Sequence, residues 1–152
     1  MRIYEKLQDL IPHIKIFHAD MPNRLCGLTL RNEIYLNTNL RNSYHETEIL
    51  AEEVAHILIS NGDISDYSSS KNMQQEVKAR RYAHQLLVPL NKLIKCYELG
   101  IWGGIYEMCL HLEIDRSYFN RVIEDYKTQF GTCVRHGNYL ITFCPQLKIE
   151  TL

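Results

Sequence analysis

Residues 50–56 read LAEEVAH, at the centre of the longer run YHETEILAEEVAHILIS (44–60). Leu50, Val54, Ile57 and Leu58 recur at intervals of three and four, the pattern of a helix with one strongly apolar face. Asn42 or Ser43 supplies the cap, and the helix is expected from about Tyr44 to Ser60. Glu52 and His56 then lie one turn apart on one face, about 6 Å along the axis. Two side chains so placed can converge on one metal ion. Glu53 is turned by about 100° from Glu52 and can reach a water on that ion without ligating it.

A catalytic zinc site takes three protein ligands and a water, so one ligand must come from elsewhere. The best candidate is Glu76, on a second long helix expected from about Met73 to Val88 and ending near Pro89. In EVKARRYAHQLLVP, Glu76, Ala79, Tyr82, Ala83, Leu86 and Leu87 recur at intervals of three and four. Glu76 therefore opens the buried stripe, away from Lys78, Arg80 and Arg81. Ala79 and Ala83 are small enough to let the two helices approach closely.

With both helices read, the chain resembles the ImmA/IrrE family of metallo-endopeptidases. The family pattern is a strand, an H-E-x-x-H helix, then a helix close to E-x-x-A-x-x-F-A-x-x-L-L-x-P. Here NEIYLNTNLRNSYHETEILAEEVAH is similar to the strand-plus-helix entry, and Glu76 to Pro89 follow the second helix. The similarity covers residues 30–90 well and the rest loosely. It implies a zincin-like peptidase core, a bound zinc, and a helix-turn-helix transcriptional repressor of a phage or mobile element as substrate or partner. Residue by residue, it assigns the general base to Glu53, the second ligand to His56 and the third to Glu76. Glu52 stands where the family has its first histidine ligand.

That departure changes the chemistry. Glutamate is a legitimate zinc ligand, but two ionised carboxylates and one imidazole leave the centre with about zero net charge. Such a centre acidifies its water less, and the harder ligand set makes Mn²⁺ or Fe²⁺ more competitive with Zn²⁺. The alternative function is a non-catalytic anti-repressor that binds its partner without productive metal chemistry. Blander readings exist for the same residues: adjacent glutamates usually form a solvated face, and a lone helix histidine is usually a satisfied core residue. Against the first, Glu52 adjoins an apolar face, where a carboxylate without a partner is costly.

His45 begins HETE but lies eleven residues before His56, about 16 Å along the helix, too far to share a metal. His84 lies eight residues after Glu76 and is too far as well. Both are expected as surface or supporting residues. His13, His18, His111 and His136 carry no spacing signal. Tyr44, Tyr67 and Tyr82 are the candidates for stabilising an oxyanion.

Around this core the chain reads as α+β and mainly helical. A short helix over 1–11 ends at Pro12. IKIF (14–17), LCGLTL (25–30) and EIYLN (33–37) form a small, mostly antiparallel sheet, with Arg31-Asn32 turning between the last two. EIYLN leads directly into the metal helix, so its edge is expected to accept an extended substrate, with Tyr35 and Leu36 as substrate-binding residues. NGDISDYSSSKN (61–72) reads as a mobile loop. Helices over 90–99, 104–112 and 116–129 follow, the last capped by Asp115, and the chain ends in a hairpin around Gly137-Asn138. Residues 105–126 look like a helix-turn-helix, but Glu124 and Asp125 offset Arg116 and Arg121, so a structural or protein-docking role is expected and DNA binding is not. The expected organisation is a core over 1–90 with an extension over 91–152 packed on it.

The composition is ordinary for a soluble globular protein able to bury a core. The 152 residues are 45% apolar and 23% charged, with a net charge of −1, so nothing global points to nucleic acid or an anionic membrane. No apolar run approaches the roughly 18 residues of a membrane span, and the N-terminal run lacks the unbroken apolar stretch of a signal peptide. The five scattered cysteines form no C-x-x-C pair, as expected of free thiols in the cytoplasm.

Overall fold

The computed structural model describes residues 2–40, 42–59 and 70–152. The fold is α+β and divides into two compact units, Met1–Leu87 and Val88–Leu152. Among the described residues, no helix is long and apolar enough to cross a membrane.

The first unit runs α1 (Ile3–Leu10), β1 (Lys15–Ala19), β2 (Gly27–Leu30), β3 (Glu33–Asn37), α2 (Ser43–Ile59) and α3 (Ser70–Leu87). Helix α1 buries Ile3 and Leu7, one turn apart, and packs on α2. Asn42 caps α2: its Oδ1 accepts the backbone N–H of His45 at 2.8 Å, satisfying one of the helix's orphan donors. Leu50, Ala51, Val54 and Ala55 of α2 and Ala79, Ala83 and Leu87 of α3 are buried. These stripes, rich in alanine, serve the most extensive helix–helix contact of the unit. Leu58, expected on the apolar face, is instead 37% exposed. The expected loop over 61–72 lies outside the described residues as far as 69, and α3 begins at Ser70.

The sheet differs from the expected arrangement. Its strand order is β1-β3-β2, with β1 parallel and β2 antiparallel to β3, so it is mixed. Strand β3 is central because it is the most apolar: Ile34 and Leu36 are fully buried, and pairing on both sides satisfies its backbone. Residues 33–37 therefore do not form an exposed edge. The left-handed residue in the β2–β3 turn is Arg31, with φ 54°. On the outer face Phe17 stacks on Tyr35 at 5.4 Å.

The second unit contains α4 (Leu90–Glu98), α5 (Ile105–Leu112), α6 (Arg116–Phe130), β4 (Cys133–His136), β5 (Tyr139–Thr142) and β6 (Lys148–Thr151). Strand β6, which sequence reasoning missed, pairs antiparallel with β5. Glu113 ends α5 with a left-handed φ of 58°, and a three-residue turn, 113–115, leads into α6. Asp115 sits at the cap position of α6, but its side chain makes no capping hydrogen bond. Met108, Leu112, Phe119, Val122, Tyr126 and Phe143 are among the buried apolar residues here. The Tyr126 hydroxyl donates to the Val88 carbonyl at 2.6 Å. On α6, Arg121 lies over the Tyr118 ring and Lys127 pairs with Glu124, a mixed surface without a basic stripe.

Candidate metal centre

The packing of α2 against α3 brings His56 and Glu76 together. His56 Nε2 and Glu76 Oε2 are 3.3 Å apart, with the two side chains 23% and 45% exposed. Two ligands bound at about 2.0–2.1 Å to one tetrahedral ion stand about 3.4 Å from each other. The separation fits a shared metal. An ion pair this exposed contributes only about 0–1 kcal/mol, so stability alone gives little reason for it. Glu76 stands at the open end of the stripe that Ala79 and Ala83 continue into the core, more exposed than expected.

Glu53 faces the sheet. Its Oε2 accepts a hydrogen bond from the Thr29 hydroxyl at 2.5 Å. The approach depends on Gly27: a Cβ there would stand 2.8 Å from Ile49 Cγ2 and 3.3 Å from Glu53 Oε1. Gly27 and Thr29 share the inner face of β2, two residues apart, so the alternation of one strand makes both the clearance and the hydrogen bond. Glu53 and His56, three apart on α2, lie on neighbouring parts of the helix surface.

Glu52 is half-buried on the same helix and has an interaction of its own. Within this unit, no three described His, Cys, Asp or Glu side chains place ligand atoms within 4.8 Å of one another. The structure thus gathers His56 with Glu76 and does not gather Glu52 with them. Tyr35 and Leu36 lie on the central strand. Leu36 is fully buried and the Tyr35 hydroxyl donates to Glu33, so neither offers a backbone edge to substrate. Tyr44 and Tyr82 are half-buried, and Tyr67 lies outside the described residues.

Several residues around the centre escaped sequence reasoning. Thr29 and Gly27 are the first two. Glu48 is the third: the residue is 1% exposed, and His45 Nδ1 lies 3.3 Å from its Oε2. The spacing of four from Glu48 to Glu52 was its only sequence signal. His18, without any such signal, meets Glu46 at 2.5 Å across the strand–helix contact. His84, expected at the surface or in support, is buried at 2% exposure.

The open edge nearest this centre belongs to β2. Leu30 and Glu33 close a two-residue turn, and Asn37 N–H donates to Cys26 O at 3.0 Å. Ladder bonds therefore join the pairs 26–37, 28–35 and 30–33, and Gly27 and Thr29 turn their N–H and C=O groups outward. Among the described residues no strand pairs with that edge. No protein-family model matches the chain, and no curated protein does either.

Proposed function

We propose that the chain is a metal-dependent endopeptidase of the ImmA/IrrE type that cuts a helix-turn-helix transcriptional repressor of a phage or mobile element. The observation that carries this reading is the His56–Glu76 pair at 3.3 Å, with Glu53 three residues from His56 on the same helix. His56 and Glu76 would hold the metal, with Glu52 as the third donor. Zinc is the first choice, and two carboxylates keep manganese and iron competitive. When bound, the metal acidifies a water and polarises the peptide carbonyl.

The chain's own residues do the rest. Glu53 takes the proton from the attacking water and delivers it to the leaving amine nitrogen. Thr29 holds the Glu53 carboxylate in one orientation. The outward N–H and C=O groups of Gly27 and Thr29 accept an extended peptide as an added strand, which places the substrate on the strand that touches Glu53. Such docking needs an unfolded segment, so the cut falls in an interdomain linker or a frayed helix end of the repressor. Folded domains resist.

The second reading is a non-catalytic anti-repressor, favoured by one observation: Glu52 is not gathered with His56 and Glu76. Glu53→Gln separates the two. The amide keeps the shape and removes the base, so metal content and stability hold while cleavage and derepression stop. Derepression that persists in Glu53→Gln establishes the binding reading instead.

A further inference from the structure

We infer that Leu28 is a specificity residue of the β2 edge and selects an apolar side chain in the segment that docks there. The inference rests on the reading of that edge as the docking strand and names the kind of segment it takes.

The strand register shows what such a segment meets. Phe17, Tyr35 and Leu28 are direct partners across β1, β3 and β2, so they stand in one row on one face of the sheet. Gly27 and Thr29 alternate with Leu28 and face α2, so the row lies on the opposite, outer face. Phe17 stacks on Tyr35 at 5.4 Å, and the row ends with Leu28 at the open edge. Phe17 is 40% and Leu28 39% exposed, an apolar row still open to water.

The next position in that row belongs to whatever pairs with β2. A strand added in the antiparallel sense, the more stable one per residue, bonds to the outward groups of Gly27 and Thr29. Its residue between those two bonded positions stands opposite Leu28 in a non-hydrogen-bonded pair. The Cβ atoms of such a pair are about 4.5–5.5 Å apart, so two apolar side chains there touch. Two residues along, the strand passes Leu30, which is 54% exposed. The alternate residues of the strand turn to α2, where Thr29 meets Glu53.

The chemistry of the occupant follows. The edge reads GLTL and carries none of the charges or prolines that commonly keep exposed strands from pairing. Arg24 and Arg31, both exposed, stand before and after it. The edge therefore favours a segment with apolar residues at alternate positions and acidic residues beyond them, over a basic or wholly polar one. A frayed helix end of the substrate fits better than a polar linker, because its apolar residues come from the buried side of the substrate's own fold.

The test is a nuclear magnetic resonance titration of the isotope-labelled full chain with short threonine peptides that differ only in the central residue. The amide signals of Gly27 and Thr29 are expected to shift, and a central leucine to bind about tenfold more tightly than a central aspartate. Leu28→Asp should bring that ratio to about one and Leu28→Met should keep it. Equal affinity of the two peptides in the unaltered chain, no binding of the leucine peptide, or shifts that spare Gly27 and Thr29 overturn the inference, and none of these needs a variant to fold. An unchanged preference in folded Leu28→Asp overturns it too. So does an unaltered chain that sediments as a dimer split by Leu28→Asp, because a second copy then covers the edge. Cleavage, probed by Glu53→Gln, is read separately. Peptide binding without cleavage sinks the peptidase reading alone, and cleavage without binding that depends on Leu28 sinks this inference alone.

Discussion

Gly27→Ala tests the contact on which the site's geometry rests. The added Cβ would meet Ile49 Cγ2 at 2.8 Å, where ordinary contact begins at 3.4 Å. The strand and helix must therefore separate locally by about 0.6 Å, the difference of the two distances. Ile49 has little freedom to yield, because a β-branched side chain on a helix holds one χ1 rotamer. Overpacking of this kind costs about 1–3 kcal/mol. Alanine recovers about 0.4–1 kcal/mol by restricting the unfolded chain, since Gly27 has no left-handed φ that alanine would strain. The net expectation is a loss of about 1–2 kcal/mol. Urea unfolding followed by circular dichroism measures it, as a lower midpoint with an unchanged denaturant slope. The same displacement pushes Glu53 off Thr29, so cleavage falls by more than the stability loss explains. A Gly27→Ala chain as stable as the parent, or more so, would refute the close approach of β2 to α2.

Glu52→His restores the commoner ligand set and raises the charge of the centre by one unit. Zinc affinity is expected to rise by at least the order of tenfold that supporting changes around metals bring, as read by competition with a chromogenic chelator; weaker binding counts against Glu52 as a donor. In the second unit, burial above all, with help from Asp125, pushes the Tyr126 hydroxyl well above its ordinary value. A proton held more tightly in the folded state stabilises fully below the unfolded value of about 10 and is lost as pH rises beyond it. Urea midpoints between pH 8 and 11 should therefore fall on the alkaline side, and Tyr126→Phe should flatten that slope while costing about 0.5–1.5 kcal/mol at neutral pH for the lost bond to Val88.

The helices were legible because their apolar spacing is regular: α2, α3 and α6 begin and end within a few residues of their expected limits. Strand order was not legible. EIYLN was expected at an edge because it leads into α2, but chain order does not fix spatial order, and the apolar Ile34 and Leu36 draw β3 to the centre. With β3 at the centre, the open edge beside α2 is that of Gly27 and Thr29, not of Tyr35 and Leu36. Strand β6 was missed because QLKIETL is short and follows a proline, so it lacked a clear alternating run. The His56–Glu76 juxtaposition followed from two helical periodicities and a pair of alanines, all visible in sequence. The Thr29–Glu53 bond and the buried Glu48 carboxylate depend on which strand faces the helix and how deep its first turns sit. Neither is written in local spacing.

The central claim is that His56 and Glu76 share a metal, and metal analysis of the purified chain tests it most directly. Elemental analysis after loading with zinc and removal of the excess is predicted to find one ion per chain, and close to none in His56→Ala and in Glu76→Ala. Free of metal, both variants should keep the parent's unfolding free energy to within about 1 kcal/mol, because so exposed an ion pair adds little to stability. A parent chain that retains no divalent metal, or folded variants that retain as much as the parent, would contradict the account.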